Sequence, residues 1–176
     1  MERVDNEHKE EVMKKIVEAG NPDSYETSWD ENGIPKSKKK SEIRKGKSSR
    51  ARGARFELRV RKDLEEKGEI VDKWSNNIDL EKDVLIPAKR KFNPFSRVMT
   101  IGTGFPDFIS IKKISKGAHF VVGVEVKING ILSKEEKEKC RWYLEKGIFS
   151  RIWIAKQGER RGEIEYIDFA EKYNKT

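Results

Sequence analysis

"HFVVGVEVKI", His119 to Ile128, is the stretch on which the fold turns. Successive side chains of a strand point to opposite faces. Phe120, Val122, Val124, Val126 and Ile128 therefore share one face, and Val121, Gly123, Glu125 and Lys127 the other. The first face is wholly apolar and must meet a core, so Glu125 and Lys127 project together from the second, where Gly123 leaves room beside them. Upstream, "GFPDFISIKK" (Gly104 to Lys113) reads as another apolar strand, expected over Phe105 to Lys112, with Asp107 inside it. A bare carboxylate is costly to desolvate unless charge or hydrogen bonds offset the loss. Register decides where Asp107 points, since a slip of a single residue turns the side chain to the opposite face.

Further out, "SSRARGARFELRVRKDLEEKG" (Ser48 to Gly68) reads as a helix capped by Ser49 and ended by Gly68, with Phe56, Val60 and Leu64 spaced along one face. "EIVDKWS" (Glu69 to Ser75) reads as a strand. Asn76 to Thr103 carries mixed signals and is either a hairpin or a long basic loop bearing Lys89, Arg90, Lys91 and Arg97. A helix from Ser133 to Lys146, a strand from Arg151 to Ala155 and a strand–helix piece from Glu163 complete the chain. Helix, three strands, helix and strand imply an α/β core with a central mixed β-sheet flanked by helices. Trp142 and Tyr143 read as core, and Trp74 and Trp153 as strand packing.

The N-terminal part differs in composition. Residues 1–35 carry four basic and ten acidic side chains, whereas Lys36 to Arg55 hold ten Lys or Arg and one acid, Glu42. Residues 4–18 are expected to form a short helix on Val4, Val12, Met13, Ile16 and Val17, and Gly20 to Lys47 a linker without fixed structure. The expected organisation is residues 1–48 as acidic helix plus basic flexible linker, and residues 49–176 as the folded domain. A basic block beside a mildly basic domain, within a net charge of +8, points to a polyanionic partner, nucleic acid rather than membrane. Cys140 is the only cysteine, which excludes an intramolecular disulfide and a cysteine-based zinc site. With no long apolar run and an acidic N-terminus, the expected location is intracellular.

Two carboxylates brought close together raise each other's pKa unless a cation lies between them. A hard divalent ion, Mg²⁺ or Mn²⁺, suits such oxygen ligands. Lys127 adds positive charge near a phosphate oxygen, and the set together suits phosphodiester hydrolysis. A cross-strand ion pair between Glu125 and Lys127 is the plainer alternative. Glu57 has two readings as well, as part of this site or as an exposed helix residue paired with Arg61 one turn on.

Pro106-Asp107 followed, after 17 intervening residues, by Glu125-Val126-Lys127 resembles the signature of the PD-(D/E)XK nuclease superfamily. "RGARFE" (Arg52 to Glu57) resembles the helix entry of archaeal Holliday-junction resolvases. The order "GFPD", "VEVK", Leu132-Ser133 resembles VRR-NUC domains. The chain departs from both: about thirty residues separate Ser75 from Pro106, and Glu136 stands where VRR-NUC domains usually carry Gln. The resemblance implies a restriction-endonuclease-like core behind an N-terminal helical or disordered extension, and a Mg²⁺- or Mn²⁺-dependent DNA endonuclease. It implies metal binding by Asp107, Glu125, the Val126 carbonyl and Glu57, with catalysis by Asp107, Glu125, Lys127 and Glu57. Arg50, Arg52 and Arg55 are expected to contact DNA, as are Lys89, Arg90 and Lys91. A branched substrate such as a Holliday junction is expected, and a homodimer would supply the two sites that matched cuts need. The alternatives are a nuclease of another substrate class (single-strand, exonucleolytic or restriction-like) and a non-catalytic DNA-binding protein on the same fold.

Overall fold

The structure is a computed structural model and describes residues 9, 10, 13, 14, 17, 20–29, 35–88, 90–93, 98–101 and 104–173. The chain divides into two units, Met1–Arg52 and Gly53–Thr176.

In the first unit, strands β1 (Tyr25–Trp29) and β2 (Pro35–Lys39) form an antiparallel hairpin that leads into helix α1 (Lys40–Glu66). The expected linker from Gly20 to Lys47 is thus corrected: much of it is hairpin and helix, and α1 begins nine residues before Ser49. The Gly, Pro and Ser content suggested a coil, but Lys40 to Lys47 is mostly Lys, Arg, Glu and Ile, which a helix accepts at little cost. The Lys40 N–H donates to Ser24 O at 2.8 Å, joining hairpin to helix. Of the expected N-terminal helix, Lys9, Glu10, Met13, Lys14 and Val17 have helical backbone, and Met13 and Val17 are exposed. Val4, Val12 and Ile16 lie outside the described residues.

The second unit is α/β, built on a mixed five-stranded sheet of order β11–β10–β9–β8–β3. Its strands are β3 (Ile70–Lys73), β8 (Phe108–Ser115), β9 (Ala118–Val126), β10 (Arg151–Gln157) and β11 (Ile164–Asp168). β3, β8 and β9 run antiparallel in turn, β10 is parallel to β9, and β11 is antiparallel to β10. Helix α2 (Lys134–Glu145) makes the crossover from β9 to β10, and α3 (Phe169–Tyr173) follows β11. The stretch of mixed signal resolves into two hairpins, β4 (Asn76–Asp79) with β5 (Val84–Pro87) and β6 (Arg90–Asn93) with β7 (Val98–Ile101). No helix among the described residues is long and apolar enough to cross a membrane.

The alternation in β9 sorts its residues between two cores. Val122 and Val124 join Phe56, Val60 and Leu64 of α1, with Phe108 and Ala155. The opposite face, which carries Glu125, is also covered. There Tyr143 and Cys140 of α2 pack with Phe149, Ile152, Ile154, Phe105 and Phe169. The room beside Gly123 is filled, since a Cβ there would lie 2.9 Å from Pro106 Cγ and 3.1 Å from the Phe149 ring. Trp74 donates its indole N–H to the Tyr143 hydroxyl at 3.0 Å and meets Phe149 edge-on, which ties the end of β3 to α2.

β8 begins at Phe108, so Asp107 precedes the strand rather than lying within it. Pro106 has no N–H to donate, and the ladder with β9 cannot continue past it. The Phe105–Pro106 peptide is cis. Two backbone bonds hold this turn: Phe105 N–H to Asn76 O at 2.9 Å and Trp74 N–H to Asp107 O at 3.3 Å. Gly104 lets the chain pass, because a Cβ there would sit 2.0 Å from Trp74 O and 2.6 Å from Asn76 O. The Asn76 carbonyl cannot move without breaking its bond from the Phe105 N–H. Gly104→Ala is expected to destabilise the protein by about 3 kcal/mol, read as a lower urea midpoint; an unchanged midpoint would show that the turn is not held this tightly.

Candidate active site

The three residues of the nuclease-like pattern come together where the β8–β9 ladder ends. In place of further ladder bonds, two side chains and two backbone amides clasp each other. The Asp107 N–H donates to Glu125 Oε2 at 3.2 Å, and the Val126 N–H donates to Asp107 Oδ2 at 2.9 Å. Glu125 is almost fully buried, at 4% exposure.

Lys127 follows β9 directly and is fixed by its own N–H, which donates to Ala155 O at 2.9 Å. A turn closed by the Gly130 N–H to Lys127 O then delivers the chain to α2. Its ammonium donates to Glu136 Oε1 at 2.6 Å and lies 3.1 Å from Glu125 Oε1. Glu136 is held in turn by a capping box: its Oε2 accepts from the Ser133 N–H at 2.7 Å, and its own N–H donates to Ser133 Oγ at 3.2 Å. Lys127 is therefore more than a plain ion-pair partner of Glu125. It bridges the strand carboxylate and the first turn of α2.

The electrostatics follow from this burial. Desolvation lifts the Asp107 carboxyl to about 6; the Val126 N–H, Lys127 and Lys73 oppose the rise and the Glu57 charge adds to it. Desolvation and the neighbouring Asp107 charge push Glu125 up to about 8, against the pull of Lys127. Burial works to lower the Lys127 pKa, but its hydrogen bonds to Glu136 and Glu125 outweigh that and hold it above its ordinary value. Glu136 shows the reverse balance. Burial favours its neutral form, and the Lys127 and Ser133 hydrogen bonds carry its pKa below the usual value. Among the described residues, no buried side-chain nitrogen or oxygen lacks a hydrogen-bond partner.

Glu57 reaches this site through its charge on Asp107. Arg61, its plain alternative partner, instead pairs with Glu65 at 2.8 Å and donates to Val71 O. Among the described residues, no group of three or more His, Cys, Asp or Glu forms a metal cage. The donor set nonetheless suits a hard cation: a buried carboxylate, Glu125, and a half-buried one, Asp107, whose mutual repulsion a divalent charge would relieve, with Val126 between them in the clasp. Arg50, Arg52 and Arg55 lie on α1 and are exposed. Arg90 and Lys91 fall on β6, and Lys89 and Arg97 lie outside the described residues.

The roles of two residues did not emerge from the sequence. Glu136 was legible as the acid of a Ser-x-x-Glu capping box, and a cap so close to Lys127 could have been read as its clamp. Lys73 carried no local signal. It reaches Asp107 because β3 pairs with β8 in the register Lys73↔Phe108.

Comparison with protein-family models, with curated proteins and with solved structures finds no match to this chain.

Proposed function

We propose that this protein is a divalent-metal-dependent DNA endonuclease with a restriction-endonuclease-like core of the PD-(D/E)XK type. The observation that carries the reading is the reciprocal clasp of Asp107 and Glu125, with the Lys127 ammonium 3.1 Å from the second carboxylate. A buried and a half-buried carboxylate joined in one clasp, both with pKa values pushed upward, serve function more often than stability. The order α1, β3, β8, β9, α2, β10 supports the same reading, because it sets the clasp between a preceding helix and a crossover helix.

In this proposal Asp107 and Glu125 hold the ion, joined by the Val126 carbonyl, which strand alternation turns to the same side as its N–H. Mg²⁺ or Mn²⁺, when bound, supplies Lewis-acid polarisation of the phosphate and offsets charge that develops in hydrolysis. Lys127 orients the attacking water and places positive charge against the phosphate oxygens, while Glu136 keeps its ammonium from swinging into solvent. Glu57 completes the acidic side of the site, and Lys73 balances it. Branched DNA is the favoured substrate, read by shape, and a dimer would supply two matched sites.

The test is cleavage of labelled four-way junction, flap, single-strand and linear duplex DNA side by side, with Mg²⁺ and with EDTA. Metal-dependent cutting of one structure establishes activity and substrate together. Binding without cutting of any would leave a protein that grips DNA through a nuclease-shaped site. Replacing Arg50, Arg52 and Arg55 by Ala is expected to weaken binding and to make the log–log salt slope shallower by roughly 2–3. An unchanged slope would remove these arginines from the interface.

A further inference from the structure

A cleft of about 520 Å³ opens in the N-terminal unit where the β1–β2 hairpin runs into α1. Its walls are Ser24, Tyr25, Lys39, Lys40, Ser41 and Arg44, and Asp23 is the single acid among its lining residues. The frame is defined on each side. Tyr25 and Lys39 are paired across the hairpin, with the Lys39 ammonium 5.7 Å from the centre of the Tyr25 ring. The bond from the Lys40 N–H to Ser24 O at 2.8 Å fixes the corner, and the Thr27 and Ser37 hydroxyls meet at 2.8 Å further along the hairpin.

Lys39 has the Tyr25 ring beside it, and Lys40 and Arg44 add two further cations to the same small cleft. Lys40 and Arg44 lie one turn apart on α1, a spacing at which like charges repel and weaken the helix carrying them. Two like charges held one turn apart at the edge of a cleft mark a place where function can set the sequence. An anion in the cleft removes the repulsion. A phosphate suits it best, since its oxygens accept from ammonium, guanidinium and hydroxyl groups together, and Ser24, Ser41 and Tyr25 supply the hydroxyls.

We propose that this cleft binds a backbone phosphate of nucleic acid. The inference rests on the nucleic-acid partner of the preceding reading, but not on cleavage. It differs from the contacts expected of Arg50, Arg52 and Arg55 in being a shaped site rather than a charged helix face.

The experiment measures fluorescence anisotropy of labelled duplex and four-way-junction DNA with the full chain, in EDTA, over a series of salt concentrations. Three proteins are compared: the parent, Lys40→Ala/Arg44→Ala, and Lys116→Ala/Lys134→Ala, which removes equal charge from exposed positions elsewhere. The cleft variant is expected to bind about tenfold more weakly, with a salt slope shallower by about 1–2, while the control stays close to the parent. Circular dichroism is expected to show undiminished helix in both variants, since the cleft variant loses a repulsion. Should the cleft variant lose helix, Tyr25→Phe/Lys39→Gln gives the same reading from the hairpin side. Equal losses in cleft and control variants would reduce the effect to net charge and overturn the proposal, as would parental binding by the cleft variants. A parent that binds no DNA would sink both the cleft and the partner. A parent that binds through the cleft and cuts nothing in Mg²⁺ would sink only the nuclease reading.

Discussion

Asp107→Asn and Lys127→Met are each expected to slow metal-dependent DNA cleavage by at least about 10²–10³-fold while leaving DNA affinity near that of the parent. The asparagine keeps an oxygen for the Val126 N–H, which Asp107 Oδ2 accepts at 2.9 Å, so the clasp survives while a charged ligand is lost. The methionine fills the volume of the lysine stem and removes only the ammonium. Glu125, already pushed up to about 8, then stays protonated at neutral pH, so the fold is not left with a bare buried charge. Glu136→Gln tests the clamp separately. It retains an oxygen toward the Lys127 ammonium, now 2.6 Å from Glu136 Oε1, and should lose less activity than Glu136→Ala. Single-turnover cleavage in Mg²⁺, with binding measured in EDTA, separates the chemical step from affinity. A near-parental rate in Asp107→Asn or in Lys127→Met would mean that this site is not where the chemistry occurs.

What the sequence made legible here was largely what strand alternation controls. The separation of Val122 and Val124 from Glu125 follows from a period of two, and the structure sets these residues on opposite faces of β9, each covered by its own core. The helix through Phe56, Val60 and Leu64 was equally plain, because its apolar stripe has helical spacing. Its start was not, since Lys40 to Arg55 has no apolar stripe and composition alone does not separate a charged helix from a charged coil. Asp107 was placed inside a strand because its neighbours are apolar. The missing N–H of Pro106 instead ends the ladder one residue short, and that gap is what lets the carboxylate reach across to Val126. Glu136 and Lys73 depend on tertiary register, on how α2 returns to the sheet and how β3 pairs with β8. No local pattern encodes Lys73, and the Ser-x-x-Glu pattern marks Glu136 as a cap without showing that it meets Lys127.

The raised pKa values of the carboxylate pair also predict how stability varies with pH when no metal is present. The Asp107 and Glu125 carboxyls have folded-state pKa values of about 6 and about 8, above the ordinary values of 3.8 and 4.5 that an unfolded chain would show. Between these limits the folded protein binds more protons than the unfolded chain, so unfolding releases protons and stability falls as pH rises. The contribution is fully present below about pH 4 and is lost as pH climbs through about 6 and then about 8. Glu125→Gln has no proton to lose at that position. It should flatten the decline and, in EDTA, be more stable than the parent at pH 9 by on the order of 2–4 kcal/mol. A divalent ion reverses the sign for the parent, because it favours the ionised pair. Mg²⁺ should therefore raise the thermal midpoint more at pH 9 than at pH 6, and much less in Glu125→Gln. Urea or thermal unfolding from pH 4 to 9, with EDTA and with Mg²⁺, reads both effects without any DNA present. A parent whose metal-free stability is level across that range would show that the two carboxylates are solvated, and the case for an ion between them would then fail on electrostatic grounds.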